Sequence, residues 1–189
     1  MSIRVHLWFP TALVLLLLAA GSIRADDKAD IKEIDDLKLD PFKQYEREDK
    51  MRALAKSGSA EAANKLIDLL ADDYVHIRDA ASDILIEMKG DGVNECLVKA
   101  LAHKSTDVRW RAADLLGYRL ATGAVKDLAE KLKSEKEIGV REACARALGA
   151  IGNEDAKKAL LGALAQGGAT AGACARAGPA WSEGSRRET

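Results

Sequence analysis

The chain has 189 residues, with 29 Lys and Arg against 30 Asp and Glu, three Pro, and only three Trp, three Tyr and two Phe. That length suits one domain with short appendages, and abundant Ala, Leu, Lys, Glu and Asp favours helix and leaves no run that reads as strands. The slightly acidic balance gives no electrostatic footprint for nucleic acid or anionic lipid.

Residues 1–25 form a separate object. Arg4 and His6 precede an apolar run from Leu7 to Ala20, and small residues in GSIRA close it before the acidic DDKAD. That order is a secretory signal's, and the run is short for a bilayer span. Cleavage is expected near Ala25, the alternative being a retained anchor. Loss of the leader removes Arg4 and Arg24 but no acid, leaving 27 basic against 30 acidic residues. The expected location is secreted or periplasmic, with no membrane contact after cleavage. Residues 26–41, DDKADIKEIDDLKLDP, carry seven acids and three lysines, with Ile31, Ile34 and Leu37 at loose helical spacing. They read as an acidic linker or a short capping helix, with the solvated spacer preferred.

From 42 to 166 the sequence repeats. Ile77-Arg78, Val108-Arg109 and Val140-Arg141 fall in register at steps of 31 and 32 residues, and Ala81, Ala112 and Cys144 follow four residues on. Leu85, Leu116 and Leu148 close the same pattern. The second half of each unit keeps step: Leu66, Leu97, Leu128 and Leu160 make one column, Leu70, Leu101, Leu132 and Leu164 another. A period of this size means a stacked array of at least three units. Val108, Ala112, Leu115 and Leu116 lie on one stripe of an amphipathic helix, and Leu97, Ala100 and Leu101 begin a second. Each unit is therefore two helices. Gly90, Gly92, Gly117, Gly123 and Gly152 mark the joints, where left-handed geometry ends a helix. The small pair Ala112-Ala113 lets a neighbouring backbone come close.

The pattern V-R-x-x-A-A-x-x-L-G followed by a Leu-rich second helix resembles HEAT repeats, above all the short HEAT-like class of the phycobilisome lyase type. The resemblance covers four units over 42–166; the first, YEREDKMRALAKSG, lacks its Val-Arg. It implies an all-α fold, a right-handed α-α superhelix (solenoid) of about four two-helix HEAT-like repeats of the armadillo type. It also implies that Arg78, Arg109 and Arg141 form a structural ladder between layers rather than a binding row. Asp72 and Asp73, Asp107, Glu135 and Glu137 are the acids near them, and a planar guanidinium suits bidentate pairing.

Function has fewer markers. Second helices often line the concave face of such arrays. Their outward columns read Asn64, Glu95, Lys126, Lys158; then Lys65, Cys96, Asp127, Ala159; then Asp68, Lys99, Glu130, Gly162. No column has one sign and no aromatic recurs, which argues against a nucleic-acid groove. Trp110 stands opposite the core stripe with Arg111 and Asp114 beside it, a residue set favoured at interfaces; its other reading is a ring lying on the Arg111 stem or a neighbouring layer. Tyr118 reads as a joint-packing residue. His76 and His103 sit in different layers without a readable nucleophile motif. Iron-dependent hydroxylases of similar fold use His-Glu pairs, whereas Ile77 follows His76 and Lys104 follows His103. No Cys or His pair has zinc spacing. Cys96 and Cys144 fall two layers apart, too far for a disulfide, and Cys174 reads as a free thiol.

Residues 167–189 lose the period and read as an Ala/Gly-rich disordered tail. No fifth Val-Arg appears near 172, so the last layer lacks a polar cap. Either it meets a partner or a second copy, or the chain is a shortened form of a longer array. The expectation is an exported, non-catalytic scaffold that binds another protein, with no cofactor and no nucleic acid, and with self-association through the last repeat open. The rival reading is a lyase or chaperone acting on a cofactor-bearing partner.

Overall fold

The computed structural model describes residues 25–165 and, beyond them, position 172; the stretch expected to be a secretory signal, the rest of the expected tail and Cys174 lie outside the described residues. Within these, helix α1 (Ala25–Leu37) precedes four helix pairs: α2 (Gln44–Ala55) with α3 (Ala60–Leu69), α4 (Val75–Glu87) with α5 (Asp91–Ala100), α6 (Thr106–Tyr118) with α7 (Val125–Ser134), and α8 (Ile138–Ile151) with α9 (Glu154–Ala165). Short 3-10 turns, Pro41–Lys43 and Thr122–Ala124, lead into α2 and α7. No strand occurs among the described residues. First helices stack in one row, α2 on α4 on α6 on α8, and second helices in another. This is the all-α solenoid that the period implies.

The columns of the repeat are the core. Ile77, Val108 and Val140 are fully buried, as are Leu66, Leu97 and Leu128, with Leu160 nearly so. Each such side chain withdrawn from water contributes about 1.5–3 kcal/mol, and stacking is what withdraws it. Leu70, Leu101 and Leu132 are buried too, whereas Leu164, fourth in that column, lies partly exposed with Leu161 beside it.

The acidic stretch over 26–37 is a packed helix and not a solvated spacer. Ile34 and Leu37 of α1 are buried against the first unit, and its acids find cations there: Lys50 with Glu33 at 3.0 Å, and Lys65 with Asp35. Asp27 accepts from Ser59 Oγ at 2.6 Å while Ser59 caps α3 by accepting from the Ala62 amide. At the other end Arg47 Nε donates to Ile34 O and Gln44 Nε2 to Leu37 O, so two terminal carbonyls of α1 are satisfied. None of these partners is adjacent in sequence, which is why composition alone pointed to a spacer.

The glycines divide into two jobs. Gly152 does end α8 in the left-handed region, and Gly58 plays the same part after α2. Gly92, Gly117 and Gly123 do not have positive φ. Gly117 lies inside α6, where a Cβ would stand 2.7 Å from Ala147 Cα of α8. It is a close-approach glycine, and its missing Cβ lets these two backbones meet.

Candidate docking surfaces

The repeating arginines each close the joint that precedes their own helix, and Arg109 alone of the three also reaches the next one. Arg109 Nη1 donates to His103 O and Lys104 O at 3.0 and 3.2 Å, and Arg141 Nη1 to Glu135 O and Lys136 O at 2.9 and 2.8 Å. Arg78 repeats this on Asp72 O and Asp73 O at 2.5 and 3.3 Å. Each therefore closes the preceding joint through main-chain carbonyls, not through the nearby carboxylates expected from sequence. The carboxylate partner lies ahead: Arg109 grips Glu135 with Nε and Nη2 at 2.8 and 3.2 Å, and Lys131 joins it. Burial pushes the Glu135 carboxyl up, but the Arg109 and Lys131 bonds and the amides of Glu137 and Lys136 outweigh it and bring it down to about 2. The first unit has a rung as well. Arg47, fully buried, donates to Asp72 Oδ2 at 2.7 Å, and despite burial this bond and the Tyr74 amide hold Asp72 below the usual carboxylate range. Arg47 stands 31 residues before Arg78; the missing Val hid it.

Trp110 is half-buried rather than exposed. It packs against the core, the Arg111 guanidinium lies 5.4 Å from its ring centroid, and its edge comes close to Gly139 of the next layer. Its two neighbours also serve stacking: Arg111 reaches back to Asp79 at 3.3 Å, and Asp114 takes Arg146 of the next layer at 2.9 and 3.1 Å. Burial outweighs Arg146 here and raises the Asp114 carboxyl.

A residue that the sequence did not mark is Arg119. Its Nη1 donates to Leu85 O, Ile86 O and Met88 O at 2.6, 3.0 and 2.7 Å, and its Nε to Asn94 Oδ1 at 2.6 Å. One guanidinium thus caps the end of α4 in the layer behind it, with no carboxylate involved, and burial lowers its pKa. It stands in no repeated column, so periodicity could not find it.

The described residues include two surfaces open to a partner. At the start of the array Leu39, Phe42 and Tyr45 are 87, 93 and 81 % exposed. Tyr45 lies 6.1 Å from the His76 ring, which lies 5.9 Å from Tyr74, and exposed Val75 adjoins them. Tyr118, expected in a joint, is also exposed. The second surface is a cleft of about 650 Å³ in the row of second helices. There α3 packs on α5 and α7 on α9, whereas α5 and α7 touch less and the Thr122–Ala124 turn fills in. Val98, Leu120 and Ala121 give the cleft apolar walls, and Glu95, Lys99 and Asp127 rim it. It runs on past Val98 and Asp127 to Glu130 and Ser134.

The remaining chemistry-bearing groups have structural neighbours. His103 Nδ1 accepts from the Ser105 amide at 3.1 Å. Cys96, which sequence placed on an outward column, is buried, as is Cys144, and both are free thiols. Burial pushes Cys144 up to about 12 and raises Cys96. Among the described residues no group of three or more His, Cys, Asp or Glu could hold a metal ion, and no helix is long and apolar enough to cross a membrane.

Comparison with known proteins agrees with the repeat. Residues 94–175 match the family model for HEAT repeats. A HEAT repeat-containing taxis protein of Halobacterium salinarum is 31% identical over 48% of this chain and 27% of its own length, so the chain spans little more than a quarter of that relative. Among solved structures, human deoxyhypusine hydroxylase in complex with glycerol is similar with a TM-score of 0.51 at 17% identity, covering 91% of this chain and 84% of that one. At that identity the likeness shows the shared fold alone. Residues 94–175 are thus similar to HEAT repeats, and the described helix pairs stack as an α-solenoid.

Proposed function

We propose that this chain is an exported, non-catalytic scaffold that binds another protein, its repeats belonging to the short class of the phycobilisome lyase type. The observation that carries the reading is the apolar patch of Leu39, Phe42, Tyr45 and Val75. Single exposed apolar residues are ordinary on protein surfaces, but contiguous aromatic patches mark interaction sites. HEAT arrays commonly mediate protein interaction, which supports the same conclusion. A non-catalytic role is supported by the placement of the two histidines, His76 between Tyr45 and Tyr74 and His103 on the Ser105 amide. Export rests on the charged, apolar, small-residue order of residues 1–25.

The test is affinity capture from the exported fraction with wild type, a Phe42→Ser/Tyr45→Ser double variant and Trp110→Ala. We expect the double variant to lose at least about tenfold of the captured partner at unchanged melting temperature, as truncation of exposed aromatic anchors does. Trp110→Ala should keep the partner and melt earlier. Equal capture by the double variant, or loss confined to Trp110→Ala, would move the interface to Trp110, Arg111 and Asp114.

A further inference from the structure

We propose that the cleft between α5 and α7 is a second docking surface, built for a segment of another protein in which an apolar side chain is flanked by Lys or Arg. The proposal does not depend on the aromatic patch, which lies at the start of the array, whereas the cleft lies between its second and third units.

The backbone supplies the first argument. Leu120 has φ of 50°, and it sits one residue past the cap of α6, where the Leu120 and Ala121 amides donate to Gly117 O and Leu116 O at 3.0 Å each. That pair of bonds is the Schellman closure, whose left-handed residue is usually Gly. Two sister units obey the rule: Gly58 and Gly152 occupy the matching slot with φ of 64° and 63°, while the second unit has Lys89 there and turns at Gly90 with φ of 116°. A leucine there costs about 1–2 kcal/mol in backbone energy. Burial does not repay it, because the side chain is 59% exposed. The side chain instead forms the rim of the cleft. Folding alone gives no reason for Leu120, whereas a partner's apolar side chain seated between it and Val98 does.

Charge supplies the second. Glu95, Asp127 and Glu130 flank the cleft from both walls, all exposed. Among the described residues none of the three has an ion-pair partner, so their charge is open to a bound cation. Lys99 is the cation facing the space, since Lys131 is engaged with Glu135 at 2.8 Å. An apolar floor between surplus carboxylates complements a basic segment and repels an acidic one. The volume accommodates a few side chains of a peptide and not a folded domain.

The experiment is fluorescence anisotropy on the full chain with two labelled peptides of about twelve residues, one alternating Leu with Lys and one alternating Leu with Glu. We expect saturable binding of the Lys peptide only, weakened at least about tenfold between roughly 50 and 300 mM salt. Glu95→Gln/Asp127→Asn/Glu130→Gln should weaken it at least about tenfold. Leu120→Gly is the control against misfolding: it should raise the melting temperature and still weaken binding about fivefold. Equal binding of the Glu peptide, no saturable binding up to about 1 mM, or unchanged affinity in the triple variant and in Leu120→Gly would each overturn the proposal. Phe42→Ser/Tyr45→Ser should leave the Lys peptide bound, so failure of one surface does not decide the other.

Discussion

Glu135 is the residue on which the array's pH dependence turns. Its carboxyl titrates at about 2 in the fold against an ordinary 4.5, so the folded state prefers the charged form. The stabilisation is complete above about pH 4.5 and is lost as pH falls toward 2, a difference of roughly 3 kcal/mol for a shift of that size. Asp72 acts in the same direction, and Asp114, with a raised pKa, in the opposite one. Glu135→Gln should therefore lower stability at pH 7 yet flatten its decline between pH 4.5 and 2, as followed by denaturant unfolding across that range. Arg109→Met strips the same rung from the other side and leaves Glu135 half-paired. It should cost about 3 kcal/mol and lower the melting temperature by roughly 10 °C, while Lys-peptide binding at the cleft is retained. An unchanged melting temperature with lost binding would make Arg109 a ligand residue after all. The repeating Arg was legible from the period, but its acceptors were not. Carbonyls have no sequence signature, and Glu135 is reached only because α7 returns antiparallel to α6.

At the scale of elements, the packing of α6 on α8 depends on one missing methyl group. Gly117→Ala places a Cβ within 2.7 Å of Ala147 Cα, where backbone and not a movable side chain must yield. The two helices have to separate, at about 2 kcal/mol or more. Gly123→Ala is the matched contrast. It meets nothing within 4 Å and its φ is not positive, so stability should hold or rise slightly. Thermal melts of the two variants side by side check this, and equal melts would remove Gly117 from the packing. Sequence marked both as joint glycines, since a glycine serving a turn and one serving a close approach are the same letter. α1 shows a related limit. Its acids looked solvated because their cations, Lys50 and Lys65, belong to α2 and α3 and become neighbours only after folding.

Over the whole molecule, the two buried thiols report cooperativity. Cys96 lies in the second unit and Cys144 in the fourth, and burial holds both above the ordinary thiol range. In a Cys174→Ser background, neither should react with a disulfide reagent at pH 8 until the chain unfolds. Both should then appear in one transition with denaturant, because first helices form an unbroken row. Two separated transitions would mean that the halves melt independently. The fold was readable because stacking writes the same columns four times. The cleft was not, because it arises where α5 and α7 touch less than their sister helices do, and a thinned contact leaves no periodic trace. Leu120 could have been flagged in the slot of Gly58 and Gly152 once those three were aligned. The seam beneath the cleft, meanwhile, is held by Arg119 through neutral acceptors on α4 and its joint. Protons do not titrate such a latch and salt scarcely screens it, whereas the Arg109–Glu135 rung yields to both. Acid therefore acts unevenly along the array: the joints that rest on Asp72 and Glu135 lose their rungs, while the Arg119 latch between the second and third units keeps its bonds.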